Sequence, residues 1–541
     1  MNPKRPAIGP IPAEAGAPGE NKPRCVAVID VGATAIRLVV AEIGAAGEIR
    51  QLESLFKGVH LGKDTFTKGR IEPSTIRQCV DILKGFRAVM QEYGITDPAH
   101  VSAIATSAVR EAENGENFRD RISIATGISL RIIDEAEESR LTFIAAEGVL
   151  EKQPELAQGD TLVVELGGGS TELLFMRQGH VAFSNSYRMG ALRLRETLQH
   201  YRAPSERVRT FLGYHIGRTV EQMRLDCSEA QSPVMVAMSA DARVAAAQLC
   251  PDWNSTILAS LDFKAFSALA DKLVSLPVGK LVSKYQMTYE EAETVGPALL
   301  AYVHIARAFK TEKIVVPKTT FRDGLLRDLT LQRSWTETFA EEVVRSAITL
   351  GEKYRFDENH AWQVTDVCMR MFKALEKEYR LEPRLGFLLR VAALLHEIGG
   401  FISNRSHHKH SMYLILNSDL FGVSREDMTL VALTARYHRR ALPSLAQVEY
   451  SVLSQEDRLA VSKMAAILRV ADALDRNHLQ QARDLSCVLE KDQFVITVNN
   501  VEDLTVERLA VKEKGGLFED IYGLPVVLKE GRVTIEGAFH G

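Results

Sequence analysis

Apolar and polar positions follow two styles along the chain, and the change between them divides the sequence. From residue 25 to about residue 333, short apolar runs rich in β-branched residues are separated by stretches of helical period, which predicts α/β lobes. From about residue 334, apolar residues recur at helical spacing, as in RLGFLLRVAALLHEIGGFI, which predicts an all-α domain. From about residue 484, LSCVLE and FVITVN predict strands of a small α/β domain.

Two segments of the α/β part share one frame. CVAVIDVGATAIRLVVAEI (25–43) and VVELGGGSTELLF (163–175) each read as strand, acidic turn and strand, with Asp30 and Gly32 of the first matching Glu165 and Gly167 of the second in order and spacing. A duplicated hairpin of this kind suggests two related lobes, each contributing one loop to a shared cleft.

The glycine-rich turn of the second segment suits a phosphate group. Glycines cost roughly 1 kcal/mol each inside regular structure, so three in a row indicate a turn that something approaches closely. Exposed backbone N–H groups of a turn form an anion-binding nest, to which Ser170 and Thr171 add hydroxyl donors. The neighbouring carboxylates would repel phosphate unless a cation such as Mg²⁺ lies between them. A plain β-hairpin with a glycine-rich turn is the alternative.

Both segments, together with four other stretches, resemble the exopolyphosphatase and guanosine pentaphosphate phosphohydrolase (Ppx/GppA) family. The other stretches are ATSAVREAENGENF (105–118), DEAEESRLTFIAAEGV (134–149), SYRMGALRL (186–194) and FRDGLLRDL (321–329). The resemblance implies two ribonuclease-H-like (actin-like) lobes around a cleft, an all-α HD-like domain and a small C-terminal α/β domain. The expected boundaries are 1–24 for a disordered Pro/Gly/Ala-rich tail, 25–140 and 141–333 for the lobes, 334–483 for the helical domain and 484–541 for the last domain.

The resemblance also implies a set of site residues. Glu138 falls on the residue that activates the attacking water, and Arg110 on an arginine that contacts substrate phosphate; a guanidinium there can clamp a phosphate in a bidentate way. Without the family, Glu138 and Arg140 also fit an ordinary solvated helix face. Mg²⁺ would be held directly or through water by Asp30, Glu165 and Glu172. The residues expected to line the phosphate path are Gly32, Thr34, Gly167, Gly168, Gly169, Ser170 and Thr171.

Three departures from the family pattern bear on activity and substrate. The first loop reads Gly32-Ala33-Thr34-Ala35 where the family usually has Gly-Ser-Asn-Ser or Gly-Ser-Asn-Thr, which removes side-chain donors, and Glu165 stands where the family has Asp. The stretch 237–241, AMSAD, lacks both glycines of the family's Gly-Ala-Ser-Gly-Thr. The third change favours linear polyphosphate over a guanosine substrate, and the first two favour a slow or inactive enzyme.

The helical domain carries a second candidate pattern. His360, His396-Glu397 and Asp472 resemble the His, His-Asp, Asp signature of HD-type metal phosphohydrolases, but Glu397 replaces Asp, so a fold relic without metal is expected. The basic stretches NRSHHKHS (404–411) and RYHRR (436–440) suggest a groove for a long polyanion; the alternative is solvated loops and helix ends.

Composition narrows the remaining classes. The chain has 541 residues, 46% hydrophobic and 25% charged, which is typical of a soluble globular protein of three or four domains. No membrane span or signal peptide is visible, and six scattered cysteines indicate reduced thiols, so a cytoplasmic protein is expected. The net charge of −4 argues against a general polyanion binder, and no specific nucleic-acid partner is expected. The family resemblance suggests a homodimer.

Four functions remain open. The first is a magnesium-dependent exopolyphosphatase, and the second is a hydrolase of the 5′-γ-phosphate of guanosine pentaphosphate (pppGpp). The third is a regulator that binds polyphosphate or an alarmone without turnover. A sugar or acetate kinase is disfavoured, since AEESRL and the HD-like domain belong to the phosphatase branch.

Overall fold

The computed structural model describes residues 23–45, 47–150, 153–200, 207–253, 258–330, 337–439, 441–501 and 503–531. Nearly all of the predicted Pro/Gly/Ala-rich tail therefore lies outside the described residues. The chain divides into two compact units, Met1–Glu337 and Thr338–Gly541. The fold is mixed α/β, with strands in both units.

The first sheet begins with the hairpin that the sequence predicts. Its strands, in the order β3-β2-β1-β4-β5, are β1 (Arg24–Val31), β2 (Ala35–Ile43), β3 (Ile49–Gly58), β4 (Val101–Ala105) and β5 (Leu130–Ile132). β1 pairs antiparallel with β2 and parallel with β4, and β2 pairs antiparallel with β3. Strand β1 is buried from its third residue onward, which fits its continuous apolar run.

The second sheet repeats this topology. Its strands, in the order β10-β11-β9-β6-β7-β8, are β6 (Asp160–Leu166), β7 (Thr171–Arg177), β8 (His180–Tyr187), β9 (Val234–Ala237), β10 (Ala259–Asp262) and β11 (Lys313–Val316). β6 and β7 form an antiparallel hairpin, β8 pairs antiparallel with β7, and β9 runs parallel to β6. Both predicted hairpins are thus present, and the sheets around them share one strand order.

Helices connect and cover these strands. The helices of the first unit are α1 (Leu61–Lys68), α2 (Pro73–Glu92), α3 (Ser107–Arg110), α4 (Gly115–Thr126), α5 (Glu135–Leu150), α6 (Pro154–Gln158), α7 (Ala191–His200), α8 (Val208–Asp226), α9 (Ala240–Leu249), α10 (Phe263–Val274), α11 (Val278–Tyr285), α12 (Tyr289–Ala308) and α13 (Phe321–Thr330). Helix α12 begins with a capping box, in which the Thr288 side chain accepts from the N–H of Glu291 and the Glu291 side chain accepts from the N–H of Thr288. Such local signals fix where the helix begins.

The second unit is mainly helical, as predicted. Its helices are α14 (Glu337–Lys353, from the unit boundary), α15 (Glu358–Glu376), α16 (Pro383–Leu395), α17 (His407–Leu416), α18 (Arg425–Arg436), α19 (Val448–Ser451), α20 (Gln455–Ala473), α21 (Thr505–Lys514) and α22 (Gly516–Tyr522). A sheet of three strands follows the predicted pattern, in the order β12 (Leu485–Leu489), β13 (Phe494–Asn499) and β14 (Val526–Gly531).

One predicted helix ends earlier than its apolar pattern. In RLGFLLRVAALLHEIGGFI, α16 ends at Leu395 and a 3₁₀ turn covers Ile398–Phe401. A Cβ atom on Gly399 would lie 2.2 Å from the carbonyl oxygen of His407, so the backbone of this turn packs directly against the start of α17. The early end therefore brings the segment after His396 close to the NRSHHKHS stretch.

Candidate active site

The second hairpin turn is held by its own backbone and by a neighbouring segment. The N–H of Gly167 donates to the carbonyl of Ser170 at 3.0 Å, which closes the turn between β6 and β7. At the start of α7, the N–H of Leu192 donates to the carbonyl of Gly168 at 3.0 Å. A Cβ on Gly190 would lie 2.3 Å from that same oxygen, so only glycine permits this approach.

The first hairpin turn has the same closure and contacts the second. The N–H of Gly32 donates to the carbonyl of Ala35 at 3.0 Å. A Cβ on Gly168 would lie 2.9 Å from the Cβ of Ala33, which places the two turns side by side. Since Gly168 has no Cβ, the altered loop residue Ala33 fits against it.

A cavity of about 350 Å³ lies at these two turns. Residues of both turns line it together with six acidic residues, Asp30, Glu138, Glu165, Asp241, Glu290 and Glu291. Of the predicted phosphate-path residues, those that line the cavity are Gly32, Thr34, Gly167, Gly168 and Ser170. Most of the residues predicted for the phosphate path therefore lie together at this cavity.

Two predicted phosphate-path residues lie behind the turn. A Cβ on Gly169 would meet the Phe66 ring at 2.5 Å and the Ser107 hydroxyl at 2.4 Å, so this glycine is a packing position. The fully buried Thr171 hydroxyl donates to the carbonyl of Met189. In this geometry Thr171 ties the turn to the segment before α7.

Glu138 lies in the first turn of α5 and is 6% exposed, which contradicts the solvated-face alternative. Its Oε2 accepts a hydrogen bond from the Arg110 guanidinium at 2.9 Å, and Arg110 also donates to the carbonyl of Ile133 at 2.8 Å. Burial raises the pKa of Glu138 and outweighs the opposing effect of Arg110. Arg140, also buried, pairs with Glu137 at 2.6 Å and with Asp328 at 2.9 Å.

Arg110 is therefore placed behind Glu138. Its guanidinium contacts Glu138 and, at 3.3 Å, the exposed Glu135, and it is not among the residues that line the cavity. In this geometry Arg110 orients the Glu138 carboxylate.

Sequence reasoning missed three arginines that do line the cavity: Arg37, Arg243 and Arg322. Arg322 lies 3.3 Å from Oδ2 of Asp30, and Arg37 lies 3.8 Å from the same atom. Two of the three belong to stretches already singled out, since Arg37 follows the first loop and Arg322 is the arginine of FRDG. An arginine close in sequence to a glycine-containing turn is the feature from which Arg37 and Arg322 could have been predicted as phosphate ligands.

The metal candidates differ in their surroundings. Asp30 is balanced by the two arginines, whereas burial and the negative charges of Glu138 and Asp30 raise the pKa of Glu165 to about 8. Glu172 is fully buried and is not among the residues that line the cavity, and its carboxylate accepts hydrogen bonds from the hydroxyls of Ser139 (2.8 Å) and Ser186 (2.5 Å). Burial raises the pKa of Glu172 well above its usual value. Direct metal ligation by Glu172 would require these hydrogen bonds to break.

The cavity fits a magnesium ion that keeps water ligands. Burial and neighbouring negative charge disfavour the ionised form of Glu165, so a cation there would stabilise its carboxylate, and carboxylate oxygens are the donors that Mg²⁺ prefers. Within the described part of the chain, three or more ligand atoms within 4.8 Å of one another occur only in the second unit. The cavity carboxylates would thus hold Mg²⁺ together with water and substrate oxygens.

The AMSAD stretch forms another part of the cavity wall. Met238, Ser239, Ala240 and Asp241 line it, and Ser239 caps α9 by accepting from the N–H of Ala242 at 2.9 Å. Burial raises the pKa of Asp241 to about 6. Two alanines, Ala237 and Ala240, stand where the family has glycine. Ala237 is fully buried at the end of β9, so only Ala240 adds a side chain to the cavity wall.

Arginines, backbone turns and carboxylates around one cavity suit a substrate that carries several phosphate groups in an α/β protein. Family models agree with this class: residues 39–333 match the Ppx/GppA phosphatase family, and residues 344–511 match domain III of Ppx/GppA phosphatases. The chain belongs to the Ppx/GppA phosphatase family, whose members hydrolyse phosphoanhydrides.

Two bacterial relatives of this chain share the same functional name. The chain is 23% identical to a guanosine-5′-triphosphate,3′-diphosphate pyrophosphatase of Photobacterium profundum, over 93% of this chain and 98% of that protein. It is 26% identical to the protein of that name from Aeromonas hydrophila, over 82% of this chain and 86% of that protein.

A solved structure shows the fold. The crystal structure of an exopolyphosphatase from Cytophaga hutchinsonii aligns with 57% of this chain and 98% of its own, at 22% identity and a TM-score of 0.51. Among the described residues, no helix is long and apolar enough to cross a membrane.

Proposed function

We propose that this chain is a magnesium-dependent exopolyphosphatase, which removes terminal orthophosphate from linear inorganic polyphosphate by attack of water. The observation that supports this most is the cavity, where arginines 37, 243 and 322 face the two glycine turns beside a buried glutamate. Cations and backbone donors bind phosphoryl oxygens, and the glutamate supplies a base.

Substrate binding rests on charge complementarity. The guanidinium groups of Arg37, Arg243 and Arg322 bind phosphate oxygens of the chain end, while the N–H groups of the turns position the terminal phosphate. Arg37 and Arg322 also hold Asp30, which fixes their orientation before substrate arrives. This arrangement favours an extended polyanion, because the three arginines line the cavity wall and can bind phosphate oxygens without any contact to a nucleobase.

Asp30 and Glu165 would hold the magnesium ion, with water and phosphate oxygens as its other ligands. When bound, Mg²⁺ neutralises charge that develops on the phosphoryl oxygens. The Glu172 carboxylate, bonded to Ser139 of α5, supports the helix turn that carries Glu138.

Glu138 acts as the general base. Arg110 occupies its Oε2, so Oε1 is the oxygen that accepts a proton from the attacking water. The water oxygen forms a bond to the terminal phosphorus, the bridging P–O bond breaks, and the shortened polyphosphate leaves with the bridging oxygen and that electron pair. The raised pKa of Glu138 makes this carboxylate a stronger base near neutral pH than an exposed glutamate.

Hydrolysis of pppGpp is the second candidate, and the names of the curated relatives favour it. The reaction at the terminal phosphate would be the same, with the nucleoside toward the AMSAD wall of the cavity. Ala240, where the family has glycine, narrows that wall and favours polyphosphate.

The proposal is tested by measuring phosphate release from long-chain polyphosphate and from pppGpp, each with Mg²⁺ and with chelator. We expect magnesium-dependent release, with the higher kcat/KM for polyphosphate; a reversed preference would establish the second candidate. Release from neither substrate, with polyphosphate still bound, would leave a binding regulator in place of an enzyme.

Glu138→Gln tests the base. We expect release to fall by about 100-fold or more, with polyphosphate binding retained. Glu135→Gln is the matched control on the same helix turn, since Glu135 is exposed and only flanks Arg110; its effect should stay below about fivefold. Equal losses of activity in the two variants would show that Glu138 is not the general base.

We also propose that the protein is a homodimer, as the family resemblance suggests. Light scattering coupled to gel filtration tests this, and a stable monomer at micromolar concentration would refute it.

A further inference from the structure

The second unit brings four side chains into one group that the proposed hydrolysis does not use. The Nε2 atoms of His360 and His396 lie 3.3 Å apart, and Oδ1 of Asp472 lies 3.7 Å and 3.8 Å from them. Oε2 of Glu397 lies 3.8 Å from Nε2 of His360. The group thus offers two imidazole nitrogens and two carboxylate oxygens, all within 4.8 Å of one another.

A second group adjoins the first through Glu397. The other oxygen of Glu397, Oε1, lies 3.5 Å from Nε2 of His407, and Nε2 of His407 lies 3.1 Å from Nε2 of His438. His407 comes from NRSHHKHS and His438 from RYHRR, the two basic stretches of the sequence. Each carboxylate oxygen of Glu397 therefore faces a different group.

Hydrogen bonds to the opposite ring nitrogens decide where the imidazole protons lie. Nδ1 of His360 donates to Oδ2 of Asp475 at 2.8 Å, Nδ1 of His396 to the carbonyl of Ala393 at 2.7 Å, and Nδ1 of His438 to the carbonyl of Ala435 at 2.6 Å. These acceptors place a proton on each Nδ1, since a carbonyl accepts only from a protonated nitrogen.

The three Nε2 atoms are the ring nitrogens that face the interior of the groups. Nε2 of His360 faces Nε2 of His396, and each also faces a carboxylate oxygen, so these nitrogens and oxygens converge. A buried cluster of this kind needs a cation, and either a proton on an imidazole or a metal ion supplies it. Carboxylate or carbonyl partners on the far ring nitrogen are also what metal-bound histidines have in proteins.

The surroundings leave one open side. His360, His396, His438 and Asp472 are buried, whereas the side chain of Glu397 is 24% exposed and that of His407 is 12% exposed. Lys514 pairs with Oδ2 of Asp472 and leaves Oδ1 toward the histidines. Metal ions and water can therefore reach the groups from the side of Glu397.

We propose that the second unit binds two divalent transition-metal ions, one in each group, with the Glu397 carboxylate bridging them. His360, His396 and Asp472 complete the first set and His407 and His438 the second. Mixed imidazole and carboxylate donors suit ions such as Mn²⁺, Fe²⁺ and Zn²⁺, and the incomplete second set leaves positions for water or a phosphate oxygen. The glutamate that led to the expectation of a metal-free relic is, in this geometry, the residue long enough to reach both groups.

Metal analysis of the full chain tests the proposal. The protein is stripped with chelator, incubated with Mn²⁺ or Zn²⁺, passed through a desalting column and analysed by mass spectrometry for bound metal. We expect about two ions per chain and a rise in melting temperature on loading. A stripped chain that retains no metal after loading, and whose melting temperature does not change, would overturn the proposal.

Variants separate this site from adventitious binding. Glu397→Gln and His438→Gln should each lose at least one ion per chain, and Asp475→Asn, which acts through His360, should weaken metal affinity by about 10- to 100-fold. His410→Gln is the matched control, because it removes a histidine from the same helix as His407 but from neither group. Circular dichroism checks that each variant is folded; equal metal content in folded Glu397→Gln and His410→Gln would refute the bridging role.

Discussion

The two hairpins at the cavity share one topology and differ in charge at one register position. In the first, Asp30 of β1 stands opposite Arg37 of β2; in the second, Glu165 of β6 stands opposite Glu172 of β7. The first acid is therefore paired with a cation, whereas the second faces another carboxylate. Two hairpins of one topology thus place a guanidinium and a carboxylate, Arg37 and Glu165, at the same cavity.

The difference appears in the surroundings of the two acids. Arg37 and Arg322 lie within 4 Å of Asp30, while Glu165 has a pKa raised to about 8 by burial and by neighbouring negative charge. A carboxylate in that state gains most from a metal ion. From this difference we expect that metal binding depends most on Glu165 of the second hairpin and phosphate binding most on Arg37 of the first, which the following variants test.

Reversing the charge at the first hairpin should have the largest effect. Arg37→Glu removes a phosphate contact and sets a carboxylate opposite Asp30, as in the second hairpin. Loss of a charge-assisted hydrogen bond costs roughly 1.5 to 3 kcal/mol, and added repulsion should bring the fall in kcat/KM to about 1,000-fold. Arg50→Glu, at an exposed position of β3, is the control; a comparable loss there would show a nonspecific charge effect.

Removing the charge at the second hairpin should come next. Glu165→Gln should lower turnover by about 100-fold and raise the Mg²⁺ concentration needed for half-maximal rate, because a metal ligand is lost. Glu165→Asp restores the acid of the family pattern and should retain turnover within about tenfold. Kinetics over a Mg²⁺ titration measure both; an unchanged Mg²⁺ requirement in Glu165→Gln would place the metal elsewhere.

The pH dependence of stability should also distinguish the hairpins. Because the folded-state pKa of Glu165 is about 8 and an unfolded glutamate titrates near 4.3, the folded state holds this proton more tightly. In chelator, its contribution to the free energy of unfolding should be full below about pH 4 and decline as the pH rises to 8, by on the order of a few kcal/mol. Urea unfolding from pH 5.5 to 8.5 measures this, and Glu165→Gln should show a flatter profile; identical profiles would contradict the raised pKa.

The smallest effect is expected at Glu172. Its pKa is raised well above the usual value by burial, so Glu172→Gln resembles the protonated side chain and should change turnover by less than about threefold. Glu172→Ala leaves the hydroxyls of Ser139 and Ser186 without this partner and should lower the free energy of unfolding by about 1 to 3 kcal/mol. A 100-fold loss of turnover in folded Glu172→Gln would instead support a direct metal role.

Much of the local structure follows from the sequence alone. Both acidic hairpins, the α/β alternation, the mainly helical second unit and the strands of LSCVLE and FVITVN were predictable, because period, β-branched residues and glycine positions act within a few residues. A helix at Glu138 was considered only as a solvated face, whereas the structure has helix α5 there with Glu138 buried. Such local signals determine where helices and strands form. They bring site residues together only where those residues lie in the same turn.

Contacts between distant segments were decided only in the tertiary structure. Arg37 lies far from Arg243 and Arg322 in the sequence, yet all three line one cavity, while Arg110 lies behind Glu138. The histidine groups likewise draw on helices α15, α17 and α20 and on the segments that follow α16 and α18. The reach of Glu397 depends on how the backbone at Gly399 packs against the start of α17. A sequence period describes which face of an element is apolar; the partner that a charged side chain meets depends on packing between elements far apart in the chain.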